Sequence, residues 1–472
     1  MKLLINRSDI TDDSNICINY ILKNNLIYKY SDEINNRINN SELINKLRKI
    51  INSKNNITYK QVNNEILKNI HNKNDPPLIY IFFLLLYRDN ILDNILDNIS
   101  IDKECFKNND VKYFINWYNE NQMRLNINNI KNNIKNNIKT NNKLFKYICK
   151  MIFNPYDIYR EPLHNMLYLN QFISINVQHN AEYNELIYNK YILNNNSEIY
   201  IYINKNSYDI KININLITKI FDIFYKITNS NHKIYLTIYL SNIKKKIYEY
   251  DHKHKHKLLK PNNINSGSTI KNINISLWRY EEIYKVLIHE LIHYFSIDFG
   301  FETNGYNKAE KYIQQLININ GEDRLFESYT ETLANIIHCC LLEKITHINI
   351  IKLLELETSF SLLQIGKILN YYNIKEYDDI FDRSKNKINQ TTSVLSYFII
   401  KGSLLFKLDE FINFTKNNII FGDKLDDYLI LINSTIQNID YKNKINFFIN
   451  NITKCNNIFI KNTLRMTCIQ IK

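Results

Sequence analysis

The stretch Val286-Leu-Ile-His-Glu-Leu-Ile-His-Tyr-Phe295 decides how the rest of the chain is read. Its apolar residues, with Ile283 ahead of them, run nearly all round a helix, which predicts a buried element. Three groups with chemistry interrupt that apolar cylinder: His289, Glu290 and His293. Residues at i and i+4 stand on one helix face a turn apart, so both imidazoles can reach one metal ion. Glu290 lies about 100° round the helix from His289, beside such an ion rather than on it, where a carboxylate can accept a proton from water. Burying the trio without a partner costs on the order of several kcal/mol. A metal removes that cost, and accounts for the trio better than two core histidines bonded to backbone.

A catalytic metal site of this type needs a third protein donor and an open position for water. No histidine follows at the short HExxHxxGxxH spacing. Downstream, Gly321 to His338 reads as a helix with Leu325, Phe326, Tyr329, Leu333, Ile336 and Ile337 inside. Glu327, Glu331, Asn335 and His338 form a polar stripe on it at i, i+4, i+8 and i+11. Polar side chains aligned on an apolar helix mark a candidate site.

The His289-Glu290-x-x-His293 motif followed by Glu331-Thr-Leu-Ala-Asn335 resembles the HExxH…ExxA(D/N) pattern of gluzincin-type zinc metallopeptidases. The 37 residues between His293 and Glu331 fall within what that family allows. The resemblance implies one Zn2+ per chain on His289, His293 and Glu331, with Asn335 as an outer hydrogen-bonder and Glu290 as general base. It also implies a zinc-activated water attacking a peptide carbonyl of a protein or peptide substrate. The likeness spans only Asn272 to His338, and Asn335 stands where Asp is commoner. Glu327 is the alternative ligand. His338 lies two turns beyond Glu331, roughly 10 Å along the axis, too far to share its ion; it is a candidate wall residue or oxyanion donor. Tyr397 is a second candidate for the cleft.

Asn265 to Thr269 reads as a turn, and Ile275 to Arg279 as an edge strand. In zincins such a strand lines the cleft and pairs with extended substrate, although an ordinary core strand fits as well. Phe172–Val177, Glu198–Ile203, Ile234–Leu240 and Asn272–Trp278 read as strands, with a helix over 216–228. The first 150 residues hold no glycine and keep helical spacing, as in Leu43, Ile44, Leu47, Ile50 and Ile51. Asn154-Pro155 to Glu161-Pro162 breaks that pattern. The expected architecture is therefore α+β in three parts. Residues 1–155 form an all-helical N-terminal domain, 156–300 a small mixed sheet with the active-site helix, and 301–472 a helical lobe carrying the third zinc ligand. The resemblance makes the last two a zincin-like domain.

Bulk composition narrows the function classes. Asn, Ile, Lys and Tyr dominate, all with AT-rich codons, a bias of the kind seen in large DNA viruses and some protists. The net charge of +13 is spread along the chain with no Arg-rich block, so no specific nucleic-acid partner is expected. Seven scattered cysteines without a CxxC pair fit reduced thiols in a cytoplasm-like compartment, the host cytoplasm or a virion if the source is viral. The N-terminus turns polar too early for a signal peptide. Pro76–Tyr87 is a dozen residues against the roughly 20 that a membrane span needs, and reads as a buried helix. His252, His254 and His256 alternate with lysines, which repel a cation, and read as a solvated loop. Cys339-Cys340 reads as two small helix residues. Two rivals to a peptidase stand beside it: a zinc-binding regulatory module without turnover, and a basic structural or nucleic-acid-associated protein.

Overall fold

Short runs rich in Ile, Tyr and Leu build a sheet, and long apolar helices cover one of its faces. The computed structural model describes residues 9–67, 162–163, 166–167, 170, 172–182, 184–207, 210–247, 257–416 and 418–472. The N-terminal part contains α1 (Asp12–Lys23), α2 (Asp32–Asn39), α3 (Glu42–Asn52) and β1 (Tyr59–Leu67). There follow α4 (Ile175–Glu182), β2 (Leu186–Leu193), β3 (Glu198–Asn204), α5 (Ile214–Thr228) and β4 (Tyr235–Leu240). A single turn, α6 (Pro261–Ile264), leads to β5 (Gly267–Ile270), β6 (Asn274–Leu277) and α7 (Ile283–Tyr294). The helical part holds α8 (Tyr306–Leu316), β7 (Ile319–Asn320), α9 (Phe326–Thr346), α10 (Ile350–Tyr371), β8 (Ile388–Asn389) and a π-helical turn at Leu395–Ile400. It ends with α11 (Lys401–Phe406), α12 (Leu408–Thr415), α13 (Leu425–Ile436), α14 (Ile439–Thr453) and α15 (Ile458–Asn462). The class is α+β, as expected. Among the described residues no helix is long and apolar enough to cross a membrane.

The six-stranded sheet runs β1-β2-β3-β4-β6-β5. Pairing is antiparallel for β1/β2, β2/β3 and β5/β6, and parallel for β3/β4 and β4/β6. One face (Ile199, Ile201, Leu236, Ile238, Ile275 and Leu277) joins α5 and α7 in the main core. The other turns Tyr188, Tyr202 and Tyr239 towards Leu163, Met166, Ile173 and Val177. Period-two alternation thus sorts the two layers.

Three expectations need correction. Phe172–Val177 is not a strand. Ser174 caps a helix there, its hydroxyl accepting from the Val177 N–H at 3.3 Å, and Ile173, Val177 and Ala181 form a buried i, i+4, i+8 stripe. Ile275–Leu277 is interior to the sheet, because Gly267–Ile270, expected as a turn, is itself the edge strand. The N-terminal part is neither all-helical nor, over residues 9–67, a separate module. Tyr59–Leu67 pairs with β2, and Cys17, Ile21, Leu43, Ile44, Leu47 and Ile51 share the core of α7 and α9. Arg48 on α3 reaches Glu343 on α9 at 2.8 Å. The rest of the expected domain, its boundary near 155, the Pro76–Tyr87 helix and the His252–His256 run lie outside the described residues.

A buried carboxylate holds the start of α7 in place. Its first-turn neighbour Glu282 is wholly buried with φ of 64°, and its carboxylate accepts the N–H groups of Met466 and Thr467, each at 2.5 Å, while pairing with Lys245 at 2.8 Å. The segment 464–471 thereby threads the core beneath the helix. Further out, α10 and α14 touch at Gly366, where a Cβ would lie 2.9 Å from the Phe448 carbonyl carbon and 3.0 Å from the Ile449 nitrogen. Gly366→Val should therefore cost about 3 kcal/mol through overpacking. The check is a fall in the urea midpoint at constant m.

Candidate metal centre

Helix α7 is apolar enough to bury itself, and this carries His289 and Glu290 inside with it, at 6% and 5% exposure. Helix α9 packs alongside and brings two carboxylates a turn apart. His289 Nε2 and His293 Nε2 stand 3.0 Å apart. Glu327 Oε2 lies 3.3 Å from the first and 3.2 Å from the second. These three donors converge on one point.

The opposite side of each ring is held as well. His293 Nδ1 donates to Asp298 Oδ2 at 2.6 Å, and the Thr330 hydroxyl donates to the same oxygen at 2.9 Å. Glu331 Oε1 lies 2.8 Å from His289 Nδ1, a charge contact rather than an aligned hydrogen bond. Its second oxygen pairs with the buried ammonium of Lys285, one turn before His289 on α7. With Nδ1 protonated, Nε2 presents a lone pair. Two lone pairs and a carboxylate at such range repel unless positive charge lies between them.

Charge balance says the same. Burial opposes ionisation of Glu327, yet His293 and His289 hold its carboxyl well below the usual range. Burial likewise opposes charge on His293, but Asp298 and Glu327 outweigh it and raise the imidazole well above its ordinary value. His289 is also raised: burial acts against its charge, and the contacts to Glu327 and Glu331 prevail. Glu331 is held low by Lys285 and His289 against the effect of burial.

A divalent ion fits this set. Ligands about 2.0–2.1 Å from zinc at tetrahedral angles stand roughly 3.3 Å from one another. The separations here, 3.0, 3.2 and 3.3 Å, match that spacing closely.

Glu290 is seated by the edge strand. The Thr269 hydroxyl donates to its Oε2 at 2.8 Å and contacts its carbonyl oxygen at 3.0 Å. A Cβ on Gly267 would fall 2.5 Å from Glu290 Oε1, so only glycine leaves room for the carboxylate. Burial raises the Glu290 pKa despite the two nearby imidazoles.

The sequence-derived residues fare unequally. His289, His293 and Glu290 assemble as expected. Glu331 and Glu327 exchange places: Glu327 joins the two Nε2 atoms, while Glu331 sits behind His289 and answers Lys285. Asn335 does not support a ligand histidine; its amide donates to the Glu331 carbonyl of its own helix at 2.9 Å. His338 faces no cleft. It is fully buried with no hydrogen-bond partner among the described residues, and burial together with Lys285 pushes its pKa down to about 3. Tyr397 does face the site, its ring 6.2 Å from that of His289, presented by the π-helical turn. Asp298, Thr330, Lys285, Gly267 and Thr269 were missed. Lys285 carried a signal, since a lysine inside an apolar helix calls for a buried acid. No protein-family model, curated protein or solved structure matches the chain.

The two glutamates are separable by experiment. Glu327→Gln should abolish stoichiometric metal binding. Glu331→Gln should keep the metal with affinity reduced about 10–100-fold. Metal content by mass spectrometry and chelator competition decide; the reverse order would restore Glu331 as ligand.

Proposed function

We propose that this protein is a zinc-dependent metallopeptidase of zincin-like architecture, with zinc on His289, His293 and Glu327 and with Glu290 as general base. The observation that carries the reading is the convergence of two Nε2 atoms and one carboxylate oxygen within 3.3 Å, each imidazole backed by its own carboxylate. Bound there, zinc would supply a Lewis acid that lowers the pKa of a water towards neutrality and polarises a carbonyl.

The chain's own groups do the rest. Asp298 and Glu331 orient the rings and raise their basicity as donors. Glu290, fixed by Thr269 and the bare Cα of Gly267, takes a proton from the attacking water and returns it to the leaving nitrogen. The Tyr397 hydroxyl is the donor available to the developing oxyanion. The outer edge of β5, unpaired among the described residues, offers backbone groups to an extended substrate, which favours a protein or peptide over a small ester.

Glu290→Gln should retain zinc and lose turnover by at least about a hundredfold. Purified variant with normal zinc and wild-type cleavage would remove Glu290 from the mechanism and favour a zinc-holding module without catalysis. Tyr397→Phe should lower kcat by about a hundredfold with KM little changed. An unaltered kcat would exclude the phenol from oxyanion stabilisation.

A further inference from the structure

Close to the metal donors stands a cation that has no acid partner among the described residues. Arg324 occupies the turn that leads into α9, its carbonyl accepting the Glu327 N–H at 3.1 Å and its own N–H donating to Ser393 Oγ at 3.1 Å. Its guanidinium carbon lies 5.4 Å from the Phe172 ring centre and 5.7 Å from that of Phe301. Among the described residues its side chain makes neither an ion pair nor a hydrogen bond. The other described arginines differ. Arg37 and Arg48 have carboxylates, Arg279 and Arg383 have carbonyl oxygens, and Arg465 has both. Glu310, an acid within reach of the Arg324 charge, is occupied by the Tyr306 hydroxyl.

The position ties this cation to the metal donors. Phe301 contacts Phe326 at 5.3 Å, and Phe326 contacts the ring of the metal donor His293 at 5.7 Å. The charge of Arg324 also reaches Tyr397, whose ring lies 6.2 Å from that of His289. Phe301 is 59% exposed, so the arginine end of this aromatic row opens to solvent. Lys271, which follows β5, is already paired with Glu302 at 3.6 Å. Stacking on rings uses the faces of a guanidinium and leaves its N–H edge free. That edge matches a carboxylate in two parallel hydrogen bonds. A net charge of +13 also draws acidic peptides from a distance.

We propose that Arg324 binds a carboxylate of the peptide substrate, so that the cleft selects acidic peptides. The carboxylate is either an Asp or Glu side chain near the scissile bond or the free C-terminus. The proposal rests on the peptidase reading of the cleft, and the two fail separately.

The test uses the full chain carrying Glu290→Gln, loaded with zinc, so that peptides bind without turnover. Four hexapeptide pools with a neutral dye serve as probes: random sequences containing Glu or its Gln replacement, each as free acid or C-terminal amide. Anisotropy should show the Glu pools binding at least about tenfold tighter than the Gln pools, if the side chain is the target. A tenfold advantage of free acids over amides would assign the C-terminus instead. Either preference should shrink towards unity in Glu290→Gln/Arg324→Gln and weaken with salt, while zinc content and circular dichroism stay constant. Arg324→Lys should restore part of it. Equal binding of all four pools, binding by none, or a preference that survives Arg324→Gln would overturn the assignment. Cleavage of the same pools by wild type is read in parallel. Selective binding without any cleavage would sink the peptidase and leave the arginine's role standing.

Discussion

The ion pair between Lys285 and Glu331 sets the register of α7 against α9, and the site follows from that register. Both groups are almost wholly buried, so leaving either alone would cost about 3–5 kcal/mol. Once they meet, the helices can only continue in one phase. His289 then falls between Glu331 and Glu327, and His293 between Glu327 and Asp298. Bases and acids alternate along the interface like rungs. A one-turn slip would part Lys285 from Glu331 and the two imidazoles from the carboxylate that meets both.

This explains how much of the centre was legible in the sequence. The spacing of His289, Glu290 and His293 lies within one helix, and helical geometry alone brings them together. The choice between Glu327 and Glu331 does not. Both occupy one face of α9, and which of them meets Nε2 depends on Lys285, 46 residues away. The ExxAN likeness pointed to Glu331 because local pattern carries no axial register. The strands tell the same story. Glu198–Asn204 and Tyr235–Leu240 are interior and carry dense apolar alternation, so they are readable. Tyr59–Leu67 is a mostly exposed edge strand, and only its pairing with β2 defines it.

The placement of Glu290 depends on different physics. Glu290 points towards β5, where a bare Cα and one hydroxyl seat its carboxylate. The edge strand therefore seats the Glu290 carboxylate from its inward side. Tyr397 arrives from the π-helical turn, a wide turn of the sort often retained at functional positions. Neither device has a strong local signature, since a Gly-Ser-Thr stretch reads as a loop and one tyrosine among 35 attracts no notice.

Finally, the carboxylate of Glu282 is satisfied by amides 184 and 185 residues further along. During translation the motif helix thus leaves the ribosome long before the segment that locks its beginning has been made. A nascent chain carries the histidines but lacks their scaffold, and contacts of such sequence separation form late. The His289, His293 and Glu327 cluster is thereby assembled only once the chain is nearly complete.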